Sequence, residues 1–476
     1  ISLFHTTWKS LLKQGFVTSL ITPIIKVFPK KKKTSGEKSF FTLSAYEDWK
    51  KSTNNASAYR VKYYKGLGTS TTSEAKEYFR DMKIVEYTWE DQSDDSITLA
   101  FSKNRANDRK QWLSKYDAKV CLTGDETKVS MSEFINKDLI HFSMYNVHRS
   151  IPSVMDGLKP SQRKILWSGF KRKMYSEVKV AQLAGYVSEH AAYHHGEVSL
   201  QDTIVGMAQD FVGSNNLNLL LPNGTFGSRL QGGKDAASAR YIFTELAPYA
   251  RTLFPEDDDS LLEFNTDDGN TIEPVNYIPL IPLVLVNGAN GIATGYSTTV
   301  PMYNPLDIIQ VMRAKLTNES ETPLKPWFRG FEGIVKSDSK TYTTIGTYNQ
   351  LNPDVIKITE LPIGVWTEKY REYLDKLVEK KILKNYVDHS TESKVNITLK
   401  FVKPPTDLDT VLRLEVKKNI TNMHLLNSNQ IIKKYNSPRE ICDEFFAVRL
   451  DLYSKRKALL QKKLTHQLLV MRNKMR

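Results

Sequence analysis

Around Tyr241 the chain reads GGKDAASARYIFTEL, which sets a phenol beside a guanidinium in a glycine-rich, basic approach. A free phenol ionises near pH ~10, so at neutral pH it attacks poorly unless cations favour the phenolate and hold the group under attack. Arg240 and Lys234 supply such cations. The chemistry open to this trio is attack on a phosphodiester. The same pair can equally be a surface feature, because most tyrosines pack the ring and wet the hydroxyl.

Other residues of reactive type lie far from Tyr241 in sequence. VHRSIPSVMDGLKPSQRKIL, residues 147–166, carries Arg149, Lys159, Arg163 and Lys164; AYHHGEVSLQDTI, residues 192–204, carries His194 and His195. The two histidines are poor metal ligands, since adjacent histidines rarely share one ion and no HExxH or cysteine partner accompanies them. The acidic runs Glu256 to Asp259 and Asp267 to Asp268 read as surface turns. In NGANGIATG, Gly288, Gly291 and Gly295 do not follow GxGxxG after a strand and turn, which argues against a nucleotide site.

The elements that must position these groups follow from patterning. A chain of 476 residues divides into about three domains. Residues 1–14 read as an amphipathic helix, ITPIIKVF as strand, and Lys30 to Lys33 as a solvated hairpin turn, with a nucleic-acid patch as the alternative. In YYKGLGTSTTSEAKEYF, residues 63–79, Gly66 and Gly68 precede a helix and let backbone amides approach a phosphate, with Lys65 beside them. Ser161 reads as the cap of a helix with Ile165, Leu166 and Phe170 inward and Arg163, Lys164 and Lys171 turned outward toward a DNA backbone. Residues 178–193 are the candidate second helix of a helix-turn-helix, with few polar residues and hence weak base reading. Ser437, Pro438 and Glu440 open a long helix whose Ile441, Phe445, Val448, Leu452, Leu464, Leu468, Met471 and Met475 keep coiled-coil spacing.

Composition narrows the partner. The net charge of +14 and the basic clusters at 159–173 and 455–463 favour a polyanion, with nucleic acid the leading candidate; the resemblance described below implies that it is double-stranded DNA. Cys121 and Cys442 cannot build a disulfide framework, which fits a reducing intracellular compartment. The longest apolar run, Ile278 to Val286, is short and holds Pro279 and Pro282, so no membrane partner is expected.

Taken in order, YYKGLGTSTTSEAKEYF, VHRSIPSVMDGLKPSQRKIL, AYHHGEVSLQDTI, GGKDAASARYIFTEL and YIPLIPLVLVNGANGIATGYS (residues 277–297) resemble the breakage-reunion core of the type IIA DNA topoisomerases, in their eukaryotic form. The resemblance spans nearly the whole chain. It implies a multidomain α/β plus α+β fold: the C-terminal part of a TOPRIM domain over 1–110, closed by DRKQW, a linker over 111–135, a winged-helix domain over 136–276, a tower domain over 277–430 and the start of a coiled-coil dimerisation arm over 431–476. It also implies roles. Tyr241 becomes joined to a DNA 5′ phosphate, Arg240 and Arg149 neutralise that phosphate, His195 supports both groups, and Lys159 is a basic residue near the same site. Ile292 is the wedge between base pairs.

The resemblance further implies a homodimer, Mg²⁺ held by an upstream glutamate and DxDxD cluster not found in this sequence, and ATP used by a domain also outside it. The opening ISLFHTTWKSLLKQ and the closing LLVMRNKMR are expected to be the cut edges of an excised core. Ala239, where relatives carry proline, and AGYVSEHA depart from the pattern without removing a reacting group. KKLTHQLLV and the compact loops resemble the enzyme of a large cytoplasmic DNA virus of the asfarvirus type, which would place it in host cytoplasm, with the nucleus as a second location; a cellular enzyme would be nuclear. Two other readings stand beside the topoisomerase: a DNA-bending scaffold that never cuts, and a TOPRIM nuclease that cuts irreversibly.

Overall fold

ITPIIKVF is not one strand. Pro23 lacks a backbone N–H, and the chain pairs in different sheets on either side of it. Thr18–Leu20 lies antiparallel to Ile84–Thr88, whereas Ile25–Pro29 is the centre of a second sheet, between Lys38–Phe40 and Tyr59–Tyr63. The computed structural model describes residues 1–30, 36–53, 55–64, 68, 70–267, 269–405 and 407–475. Contacts group them into two bodies, residues 1–147 with 293–296 and residues 148–292 with 297–476.

In the first body the strand period of two is literal. Ile25 and Val27 meet Phe40, Tyr46 and Tyr59 in a core, while Lys26 is fully buried on the opposite face. Its ammonium is matched by Glu77 at 3.1 Å and Glu37 at 3.3 Å, as a buried charge requires. The expected opening helix is broken at Trp8 into Ser2–Thr7 and Lys9–Lys13, with His5 and Lys9 both on Asp94. Strands Ile25–Pro29 and Lys38–Phe40 flank the lysine run as a hairpin would, but Lys31, Lys32 and Lys33 lie outside the described residues.

The segment 111–135 is folded into this body and does not serve as a linker. Lys128–Ser130 pairs in parallel with Ile84–Thr88, Trp112 donates its indole N–H to Asn136 at 2.8 Å, and Ser130 with Glu133 closes a capping box on Met131–Phe134. DRKQW is therefore interior to the unit, which continues to Val147.

The second body has its main core among helices Pro160–Arg172, Val180–His190 and Glu197–Ala208, where Ile165, Leu166, Leu183, Ala184, Val187, Leu200 and Ile204 are fully buried. A further core sits under the four-stranded sheet Thr347–Asn352, Val355–Glu360, Ile397–Phe401, Leu383–Asp388, with Tyr370, Leu374 and Leu377 of helix Thr367–Glu379 against it.

The long helix is Pro438–Met475. Ser437 accepts from the Glu440 N–H at 3.3 Å, and Glu440 reaches back to the Asn436 N–H at 2.9 Å, so the box closes one residue earlier than a reciprocal one. Residues 432–435 are strand, paired with Met423–Leu426, which moves the expected start of the arm from 431 to Pro438. Ile441, Phe445 and Leu452 are buried, whereas Leu464, Leu468, Met471 and Met475 stand exposed.

The run Glu256 to Asp259 is more than a surface turn. Asp258 is buried and takes Arg449 of the long helix at 2.7 Å and Arg456 at 3.3 Å. Among the described residues no helix is long and apolar enough to cross a membrane.

Candidate active site

Tyr241 sits on a turn, not on a helix. The turn is held at both ends by packing: Ala239 and Ile242 are buried, and between them Arg240 and Tyr241 face out, the tyrosine 69% exposed. The Tyr241 N–H donates to the Ser238 carbonyl at 2.9 Å. The first amides of helix Val180–His190 complete the clamp, Val180 donating to the Ile242 carbonyl and Ala181 to the Ala239 carbonyl, each at 3.1 Å. Helix N-termini need such acceptors. Strand Phe243–Thr244 then pairs with Val178–Lys179. The Arg240 guanidinium lies 5.5 Å from the centre of the Tyr241 ring, within cation–π range.

The approach to this turn is as tightly built. At Gly232, with φ +65°, a Cβ would stand 2.2 Å from the Trp366 ring, and at Gly227 one would meet Gly233 at 2.6 Å. Asp235 accepts from the Ser228 N–H at 2.9 Å and from its hydroxyl at 2.5 Å. Arg229 forms a buried ion pair with Glu360. Neither partner announces itself in the sequence, because the two are 131 residues apart and no local pattern links them. Lys234 projects from this frame, exposed and without a hydrogen-bond partner among the described residues.

Arg149, near the end of helix Ile140–Ser150, is exposed and makes no ion pair among the described residues. It lies within electrostatic reach of His195. Burial first, then the positive fields of Arg149, His194 and Lys164, hold the His195 imidazole below its ordinary pKa and so neutral at pH 7. His194 is engaged with Asp267 at 2.6 Å. Lys159 lies half-buried in a cavity, and burial lowers its pKa.

Two expected DNA contacts are corrected. Arg163 is buried, with its guanidinium on Asp156 at 2.7 and 3.0 Å and on the Leu158 carbonyl at 2.9 Å. Lys164 donates to the Ala191 carbonyl at 2.6 Å and to Glu273 at 2.8 Å. Both therefore hold the domain together. The helix begins one residue ahead of the expected cap, at Pro160, with Gln162 accepting from the Lys159 N–H at 2.9 Å, so Ser161 is not the cap. Lys65 and Gly66 lie outside the described residues. At Gly68 a side chain would meet no described atom within 4 Å, so internal packing does not demand glycine there. Ile292 ends the strand Ala289–Ile292 of a hairpin with Ser297–Val300 and is 86% exposed, which no folding argument explains.

The described residues do not fit a magnesium site. They contain no cluster of three or more His, Cys, Asp or Glu side chains able to hold an ion, and Asp258 and Asp259 are already met by Arg449, Arg456 and Arg251.

Residues 149–476 match the family model of the DNA gyrase/topoisomerase IV A chain, and residues 20–147 that of the C-terminal associated domain of TOPRIM. The chain is 46% identical over 503 residues to DNA topoisomerase 2 of Arabidopsis thaliana, a match covering 100% of this chain and 34% of that protein. It is 44% identical over 482 residues to the mitochondrial DNA topoisomerase 2 of Dictyostelium discoideum, covering 98% and 37%.

The crystal structure of the Plasmodium falciparum topoisomerase II DNA-binding, cleavage and re-ligation domain matches with a TM-score of 0.83 at 46% identity, over 97% of this chain and 65% of that one. The chain thus spans about a third of the length of these curated relatives. It belongs to the type IIA DNA topoisomerase family. Within that family it falls with the eukaryotic topoisomerase II proteins.

Proposed function

We propose that this chain is the DNA-binding and cleavage core of an ATP-dependent type II DNA topoisomerase, acting as an intracellular homodimer on double-stranded DNA. The observation that carries the proposal is the exposed Tyr241 with Arg240 against its ring, on a turn pinned from both sides. Strand passage needs a break that can be resealed, so the bond must be kept in a covalent protein–DNA link and not lost to water. The Tyr241 hydroxyl oxygen forms a bond to phosphorus as the bond from phosphorus to the 3′ oxygen breaks. The phenolic proton leaves, and the departing 3′ oxygen is protonated or stabilised as an anion; religation reverses each change.

Arg240 and Arg149 offset the charge building on the phosphoryl oxygens, and neutral His195 supplies a hydrogen-bonding partner without adding charge. Mg²⁺, bound on carboxylates beyond this segment, would stabilise the attacking and leaving oxygens. The winged-helix, tower and arm assignments carry over on the same reading, supported by the helical core before Tyr241, the sheets of 334–419 and the exposed apolar seam of Pro438–Met475. The viral attribution rests on KKLTHQLLV and the compact loops alone.

The test is an SDS-trapped covalent DNA adduct on the full-length protein with Mg²⁺. No adduct rejects the enzyme in favour of a scaffold, and an adduct that salt or EDTA cannot reverse indicates a nuclease. Two further outcomes follow. Lys234→Ala is expected to weaken DNA binding uniformly across sequences and to reduce the slope of log K against log salt by roughly 0.9; an unchanged slope places Lys234 off the DNA path. Ile292→Ala is expected to reduce the DNA bend seen by end-to-end energy transfer, since a wedge offsets a few kcal/mol of unstacking. A full bend with alanine removes Ile292 from that role.

A further inference from the structure

The hairpin of Phe264–Asp267 with Asn270–Pro274 follows the Tyr241 turn in the chain and carries none of the groups assigned to the reaction. Two of its carboxylates nevertheless reach back to one short segment, residues 191–196. That segment joins helix Val180–His190 to helix Glu197–Ala208 and carries His195.

The first reach is buried and indirect. Glu273 holds the Lys164 ammonium at 2.8 Å, and the same ammonium donates to the Ala191 carbonyl at 2.6 Å. Asn265, on the other strand of the hairpin, donates to Glu273 at 3.4 Å. The second reach is direct and lies at the surface, where Asp267 meets the His194 Nε2 at 2.6 Å. The hairpin thus grips the segment on both sides of Ala192 and Tyr193.

Between the two grips the backbone is in a state it does not favour. Ala192 has φ +48°, the left-handed region in which a Cβ crowds the following carbonyl. Such a conformation persists only where surrounding contacts over-determine it, and it concentrates where a side chain has to be aimed. Tyr193 is the inward anchor, buried in the helical core, and the His195 ring lies edge to face on it with centroids 5.4 Å apart. The reversal at Ala192, with Tyr193 turned in, leaves His194 and His195 both exposed. His194 is tied to the hairpin, and His195 is the one within reach of Arg149.

We propose that the hairpin 264–274 is a positioning element for His195, with Asp267 acting through His194 and Glu273 acting through Lys164, so that the imidazole is held at the scissile phosphate by carboxylates that do not touch DNA. The inference rests on the cleavage reading above and deepens it. The adjacent histidines then divide the work: one is a tether, the other meets the phosphate. Asp267 is the grip to test, because it stands at the surface, whereas Lys164 and Glu273 are built into the core.

The experiment uses the full-length protein with Mg²⁺ and saturating duplex, reading the rate of SDS-trapped adduct formation, beside DNA affinity without divalent metal and the melting temperature. Asp267→Ala is expected to slow the adduct by roughly tenfold to 10²-fold, as a misplaced supporting group does, with affinity and melting temperature not reduced. Asp267→Asn keeps an oxygen that accepts from the His194 N–H and should restore most of the rate, although it carries no charge. In a His195→Ala background, Asp267→Ala should add less than about twofold, since residues acting along one path are non-additive.

A loss in Asp267→Asn as large as in Asp267→Ala overturns the inference, because it assigns the effect to charge and not to the tether. A full further loss on top of His195→Ala also overturns it, by placing the action of the hairpin elsewhere. A fall in DNA affinity with an unchanged rate at saturation makes the hairpin a DNA-binding element instead. A parent protein that forms no Tyr241-dependent adduct fails the cleavage reading and this inference with it; a parent that forms one, matched in rate by Asp267→Ala, fails the inference alone.

Discussion

Tyr241→Phe in the full-length protein is expected to lower the SDS-trapped DNA adduct by about four orders of magnitude or more, to background, since removing a covalent nucleophile in other enzymes costs on the order of 10⁶ in rate. Its fold should be untouched. The side chain is 69% exposed, and its turn is held by backbone bonds and by Ala239 and Ile242, none of which involves the hydroxyl. Melting temperature and DNA affinity should therefore match the parent within the usual range of a surface change, about 0.5 kcal/mol. An adduct persisting at parental level in Tyr241→Phe would move the nucleophile elsewhere in the chain. Arg240→Ala should act on the same assay in a graded way, by roughly 10²-fold to 10³-fold, as loss of one charge-stabilising donor does.

The second large effect concerns stability. Asp156 is fully buried and accepts from the Arg163 guanidinium and from the Leu158 and Tyr277 N–H groups, bringing residues 121 apart in sequence together under the helical core. Asp156→Ala leaves a buried guanidinium without its counter-charge and is expected to destabilise the domain by about 3–5 kcal/mol. Urea unfolding of the full-length protein would show this as a lowered midpoint. Asp156→Ala combined with Arg163→Met should recover much of the loss, because a buried pair replaced whole is far less damaging than one broken. If Arg163→Met instead leaves stability intact and lowers the salt slope of DNA binding by roughly 0.9, the residue belongs on the DNA path after all.

This arginine marks where the sequence ceases to be a guide. Periodicity correctly turns Ile165, Leu166 and Phe170 inward, since apolar burial follows helical spacing. The same wheel turns Arg163 and Lys164 outward, since a helix considered alone offers them no partner. Asp156 precedes the helix and Glu273 lies 109 residues beyond Lys164, and only the folded chain delivers these carboxylates. Asp258 reads as part of an acidic turn for the same reason: Arg449, its partner, is 191 residues away.

The segment 111–135 reads as a linker because its pairing strand, Lys128–Ser130, is three residues long, too short to show alternation, and docks in parallel on Ile84–Thr88. Trp8 breaks the opening helix for a cause no apolar pattern displays. By contrast the cap at Ser437 and Pro438 is legible, because capping is decided within one turn of chain.

By itself the sequence determined the reacting types and their order along the chain, the basic balance, the family, and each element whose logic is local. Tertiary structure decided which charges remain available. It consumed Arg163, Lys164, Lys26 and Arg229 in ion pairs and left Arg149, Arg240, Lys234 and Lys159 without a carboxylate among the described residues. The reason is physical: a charge withdrawn from water must find its opposite in space, and distance in space is what a linear sequence does not record.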